Sequence, residues 1–181
     1  SYNTIANNKS KYNSFFGYQA GMSNSEGNYN SFVGYKAGLS TTTGSSNVFI
    51  GYECGKANTT GYSNVVIGKS SAVSANGNNN IVIGEYAGYS LTSGIHNTLI
   101  GSSAGYSHTN QDYNVMIGTN AGYHINASGW SGSFNTFMGI NAGYKIAISR
   151  DNTFIGTNAG YWIENGQRNT FVGIDAGRSG Y

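Results

Sequence analysis

The Asp, Glu, His and Cys side chains, eleven in all, are the first candidates for acid–base, nucleophilic or metal chemistry: seven Asp and Glu, three His and one Cys. The acids are Glu26, Glu53, Glu85, Asp112, Asp151, Glu164 and Asp175. Glycoside hydrolysis needs two carboxylates flanking one bond, and Glu53 with Glu85 is the pair to test. Two strand spacings would hold them about 10 Å apart, near the inverting range. In the repeat set out below they occupy a seventh and a sixth position, which face opposite ways along an extended stretch, so the pairing fails. His96, His108 and His124 share no ligand spacing, and no metal site is expected. Cys54 has no disulfide partner in the chain and no recurrent basic neighbour to activate it, so it reads as packing. No glycine-rich loop precedes a helix, and the N-x-S/T triplets at Asn8, Asn58 and Asn126 are what a chain rich in Asn, Ser and Thr contains by chance. The chain reads as a non-enzyme without metal or cofactor.

Surface recognition is the chemistry that the aromatic residues suggest instead. Tyr89, Tyr106, Tyr123, Tyr144 and Tyr161 recur at one position of the repeat, and Tyr18, Tyr35 and Tyr52 at another. Such residues dominate binding patches, although a ladder in register also packs for its own sake. Between His124 and Phe134 the sequence HINASGWSGSF places Trp130 among glycines and serines. Four additional residues fall here, and insertions in repeat arrays map to loops on one face. Trp162, in YWIENGQR with Glu164 and Arg168, is a second candidate.

Composition removes several classes. Charged residues make up only 9% of the 181, the net charge is +2, and 14% are aromatic, which is unlike a disordered chain. There are 28 glycines but no proline, which excludes a collagen triple helix. Apolar runs stop at three or four residues, so no membrane insertion is expected. The nine Lys and Arg are scattered, without the basic patch that nucleic acid requires. Residues 1–8 lack the basic and apolar regions of a signal peptide, and the chain reads as a processed or excised piece.

The elements that must position these residues follow from a repeat. Units open at Asn13, Asn30, Asn47, Asn64, Asn80, Asn97, Asn114, Asn135, Asn152 and Asn169, and read NSFFGYQAG, NSFVGYKAG and so on to NTFVGIDAG. The interval is 17 residues except for one of 16 and one of 21. A period that short holds strands rather than helix pairs, and glycine at the fifth position of every unit would cost up to about 1 kcal/mol each in a helix. The expected fold is all-β: a parallel β-solenoid of about ten 17-residue coils over residues 13–181, after a lead-in at 1–12.

Numbered from its asparagine, the unit is apolar at position 3 (Phe15, Phe32, Phe49, Val66, Val82, Leu99, Met116, Phe137, Phe154, Phe171) in all ten copies. Position 4 is apolar throughout as well, including Ile50, Ile67, Ile83, Ile100, Ile117 and Ile155. Side chains alternate along a strand, and one coil has one inside. The second stripe must be covered by another chain or stand exposed, so position 4 is expected to be an oligomer interface. Position 8 is Ala, Cys54 or Ser71, small enough to pack against the position 3 stack. The glycines at positions 5 and 9 suggest positive φ or close approach, and stacked asparagines can bond from coil to coil.

The unit N-[TSV]-[FV]-I-G-x-x-A-G resembles the head repeats of YadA-type trimeric autotransporter adhesins and repeats of bacteriophage tail fibres, over residues 13–177. The resemblance implies a left-handed β-roll, a homotrimer, and a location outside the cell on a bacterial surface or a virion fibre. It implies attachment to a host-surface glycan or protein, and it carries over no catalytic residue. This unit is longer than the adhesin repeat, its strand is one residue shorter, and phenylalanine replaces smaller residues. The polar capping coils that repeat arrays use are missing, so a longer chain or end-to-end stacking into a filament is expected. A β-roll ice-recrystallisation inhibitor of plants shares an N-x-V-x-G pattern. That rival needs a regular outward array at position 2, which here mixes Ser, Val, Ile and Thr.

Overall fold

A computed structural model describes residues 9–125 and 132–179. Ten three-residue strands form one sheet: β1 (Ser14–Phe16), β2 (Ser31–Val33), β3 (Val48–Ile50), β4 (Val65–Ile67), β5 (Ile81–Ile83), β6 (Thr98–Ile100), β7 (Val115–Ile117), β9 (Thr136–Met138), β11 (Thr153–Ile155) and β13 (Thr170–Val172). They lie in chain order, all parallel. Each residue pairs with the same repeat position of the next strand, as in Phe32 with Phe49 and Val33 with Ile50. The chain is thus an all-β solenoid of about nine turns.

Position 3 points inward along the whole sheet. Phe32, Phe49, Val66, Val82, Leu99, Met116, Phe137 and Phe154 are fully buried, in one core with the small residues of position 8 such as Ala37, Cys54 and Ala104. Their aromatic rings stack at 4.8–5.0 Å, as in the pairs Phe32–Phe49 and Phe137–Phe154. Burying one such side chain contributes about 1.5–3 kcal/mol. Positions 2 and 4 share the outward face.

The asparagines opening the units are buried beside that core, except the half-buried Asn13 and Asn169 at the two ends, and build a ladder. Asn47 donates its backbone N–H (3.0 Å) and Nδ2 (3.3 Å) to Oδ1 of Asn30, and Nδ2 also reaches the Gly61 carbonyl at 2.7 Å. The same bonds recur at Asn64, Asn80, Asn97 and Asn114. The side-chain amide accepts at Oδ1 from the next coil while its Nδ2 donates within its own, as Asn47 does with the Asn64 N–H and the Gly61 carbonyl, a double role that an aliphatic side chain lacks.

Glycine at position 5 allows coils to touch through backbone. A Cβ on Gly51 (φ 141°) would come within 2.5 Å of the Gly68 carbonyl oxygen. Position 9 is left-handed, and a Cβ on Gly38 (φ 56°) would strike the Phe32 ring at 2.5 Å. The exception, Ala72 (φ 40°), lies in the unit whose position 3 is the smaller Val66.

Two further left-handed positions carry ordinary side chains. Position 7 (Lys36, Glu53, Tyr86) and the residue before each asparagine (Tyr29, Ser46, His96) all have φ between 52° and 58°. Each turns its N–H back to the preceding coil, as Lys36 does to the Tyr18 carbonyl and Ser46 to the Asn28 carbonyl, both at 2.8 Å. Coil-to-coil hydrogen bonds hold there what glycine allows elsewhere.

A second parallel sheet joins β8 (His124–Ile125), β10 (Lys145–Arg150) and β12 (Trp162–Gln167). This corrects the reading of His124 as the start of a loop. The sequences HI, KI and WI set an exposed residue before an inward isoleucine, and Ile125 and Ile146 are fully or nearly buried. No α-helix occurs among the described residues, and none of their helices is long and apolar enough to cross a membrane.

Candidate functional site

Positions 2 and 4 of the long sheet make an outward surface with an unbroken apolar column. Phe16, Val33, Ile50, Met138, Ile155 and Val172 are exposed, Phe16 by 77% and Ile50 by 39%. Ile67, Ile83, Ile100 and Ile117 between them are half-buried. Position 2 adds Val48, Val65, Val115, Thr98 and Thr136, half-buried, and Ile81, exposed. The inward and outward assignments of positions 3 and 4 thus agree with the alternation expected from sequence.

The five tyrosines of position 10 stack with centroids 4.9–5.3 Å apart and planes within 10°. Their flat faces are turned to one another along the rod. Tyr86 meets Tyr89 edge-on at 5.9 Å, and the Arg178 guanidinium lies 5.4 Å from the Tyr161 ring. What the ladder offers outward is ring edges and hydroxyls. Burial and the neighbouring phenols raise the pKa of Tyr106 and Tyr144, which keeps those hydroxyls protonated.

Beside the ladder, on the second sheet, lies a groove of about 570 Å³. It is lined by Ser107, Thr109, His124, Lys145, Trp162, Glu164 and Asn165, with Ile125, Ile146 and Ile163 of the same strands beside them. The Lys145 Nζ sits 3.8 Å above the Trp162 ring, which remains 37% exposed. His124 stands edge-on to Tyr123 (4.5 Å) and Tyr144 (5.7 Å), with Nδ1 3.4 Å from the Ser107 hydroxyl. Lys9, Lys56, Lys69, Arg150 and Arg178 each have a carboxylate within 4.0 Å, whereas Lys145 has none among the described residues. Glu164 forms no ion pair with Arg168.

The sequence candidates therefore separate. His124 and Trp162 come together in the groove, and the tyrosine ladder flanks it. Phe134 instead continues a different stack, 5.2 Å from Tyr113, which in turn stacks on His96 at 5.0 Å. Trp130 lies outside the described residues. Lys145 was missed, because only its register beside His124 and Trp162 places it there.

The chemistry-bearing residues are otherwise dispersed. Glu53 and Glu85 lie in turns, not on an extended stretch, and each is bound by a lysine at 2.9 Å, Lys56 and Lys69 respectively. No group of three or more His, Cys, Asp and Glu could hold a metal among the described residues. The Cys54 thiol is buried, donates to the Val66 carbonyl at 3.0 Å, and is pushed up to about 12 by burial. A thiol held protonated is no nucleophile. Buried His108 is drawn down to about 4 by burial, which keeps it neutral.

No family model matches the chain, and neither a curated protein nor a solved structure matches it either.

Proposed function

We propose that this chain is a non-catalytic, fibrous surface protein that assembles along its length as a homotrimer and attaches to a host cell surface. The observation that carries the reading is the outward apolar column from Phe16 to Val172, half-buried or exposed at every coil. Soluble monomers rarely leave a contiguous apolar strip of this kind in water, and a second copy in register would cover it. The resemblance of the unit to trimeric adhesin heads and tail-fibre repeats supports three copies and a place outside the cell, on a bacterial surface or a virion. A flat face of repeating side chains suits a shaft or head, and the dispersal of the acids supports a binding rather than a catalytic role.

The test is the solution mass by light scattering behind size exclusion at two concentrations. The expected mass is three chains at both. Replacing Ile83, Ile100 and Ile117 together by Asp is expected to give single chains with unchanged strand content, because three charges cannot be buried unpaired in a dry seam. A monomeric parent would overturn the assembly reading. It would favour ice binding, to which the threonines at position 2 (Thr98, Thr136, Thr153, Thr170) contribute on the same outward face. Open-ended growth would favour the filament subunit.

A further inference from the structure

We infer that the groove on the second sheet is a saccharide subsite for a short, uncharged oligosaccharide, with Trp162 as its platform. The inference rests on the attachment reading above and names the ligand class and the place. Sugars present an apolar C–H face together with hydroxyls that both donate and accept. The groove supplies both kinds of partner. Trp162 is 37% exposed; the Lys145 ammonium occupies one face of its ring, a sugar would use the aromatic surface that the ammonium leaves uncovered, and the indole N–H donates to no described residue. Lys145 and Glu164 bring one positive and one negative charge, neither in an ion pair among the described residues. His124 is fixed by its tyrosine neighbours with Nδ1 toward Ser107, which leaves Nε2 for a ligand.

The charge pattern decides among ligand classes. A phosphate or nucleic-acid strand would meet Glu164 and find one lysine, too little to neutralise a backbone. A neutral saccharide uses donor and acceptor together and gains from the aromatic ring. The volume, about 570 Å³, falls within the range of about 300–1,000 Å³ typical of small-ligand sites. The tyrosine ladder is not the platform, because its ring faces are taken up by one another.

The experiment is calorimetric titration of the full chain with cellotetraose, maltotetraose, mannotetraose, chitotetraose and, as a charged control, tetragalacturonate. Saturable binding of at least one neutral tetrasaccharide is expected, with Kd at or below about 1 mM. Trp162→Ala should weaken it about tenfold or more, and Glu164→Ala by severalfold, both at unchanged strand content and mass. Trp162→Phe should retain most of the affinity, and Tyr106→Phe should be neutral. Absence of binding to all four neutral sugars, binding confined to the uronate, or full affinity in Trp162→Ala and Glu164→Ala would each overturn the proposal. A three-chain mass without sugar binding would sink this subsite and leave the assembly standing. A monomer that binds sugar would do the reverse.

Discussion

Acidification should weaken this solenoid through one buried imidazole. His108 occupies position 12 of its coil, where the coil before carries Leu91 and the coil after carries Ile125, both buried. Its Nε2 lies 3.1 Å from the Gln111 carbonyl and 3.3 Å from Asn97 Oδ1, with Asn114 Nδ2 at 3.4 Å, and none of these neighbours carries charge. Nδ1 has no partner. Burial lowers the folded pKa from 6.5 to about 4, so between those values the unfolded chain binds a proton that the folded chain refuses. Stability is therefore full above pH 6.5 and falls as pH drops toward 4. At 1.36 kcal/mol per unit, the loss approaches about 3 kcal/mol. The assay is denaturant unfolding at pH 7.5 and pH 4.5, both approximate settings chosen to bracket the two pKa values, on the parent chain and on His108→Leu. Leu should fit, as Leu91 does, and it orphans nothing: Gln111 O still accepts from Asn97 Nδ2 at 2.9 Å, and Asn97 Oδ1 from Asn114. Subtracting the two pH dependences isolates the histidine from the carboxylates. Equal pH dependence in both chains would refute the reasoning.

Three more perturbations test the interior. Asn80→Ala removes the acceptor of the Asn97 backbone N–H (2.9 Å) and the donor to Gly94 O (2.9 Å), and should cost about 2–4 kcal/mol in denaturant unfolding. Thr41→Val should stabilise by about 1 kcal/mol, because the buried Thr41 hydroxyl has no partner among the described residues and later coils carry Leu91 and Ile146 in that column; an unchanged or lower midpoint would count against this. Gly38→Ala and Gly88→Ala share a left-handed φ, but the added Cβ meets the Phe32 ring at 2.5 Å in one and Leu99 Cδ1 at 3.1 Å in the other. Gly38→Ala should therefore be worse by about 1–3 kcal/mol, read as a difference in thermal or chemical midpoints.

The long sheet was legible because every coil repeats the same constraint. Asparagine, an inward Phe or aliphatic residue, an outward Ile and glycine recur in register, and periodicity turns ten weak local signals into one strong one. The second sheet was not legible, because it involves three coils only and β8 is two residues long. The left-handed residues at position 7 were hidden for another reason. Asn120, Asn141, Asn158 and Asp175 are types that tolerate positive φ, but Lys36, Glu53 and Tyr86 in the same column are not, and their N–H groups bond to the coil before, so the column carries no uniform residue-type signal. The burial of His108 could have been found, since it falls in the column of Leu91 and Ile125, but only once position 12 is known to face inward.

The same contrast indicates where recognition can reside in a repeat rod. Inward columns are fixed by geometry: a change at positions 1, 3, 5 or 9 breaks a ladder, opens a cavity or drives a Cβ into backbone. Outward columns are free to vary, yet most of them vary within packing ladders, as the stacked tyrosines do. The column after those tyrosines departs from that rule. It reads Ser90, Ser107, His124, Lys145, Trp162 and Ser179, changing residue type at three successive coils while the inward neighbours Ile125, Ile146 and Ile163 stay apolar. A ladder that only had to cover an edge would have kept one residue type, as position 10 did. Replacing His124 and Lys145 by Ser, the residue of the two preceding coils, should therefore leave stability within about 0.5 kcal/mol. A larger loss would mean that the column is built for packing after all.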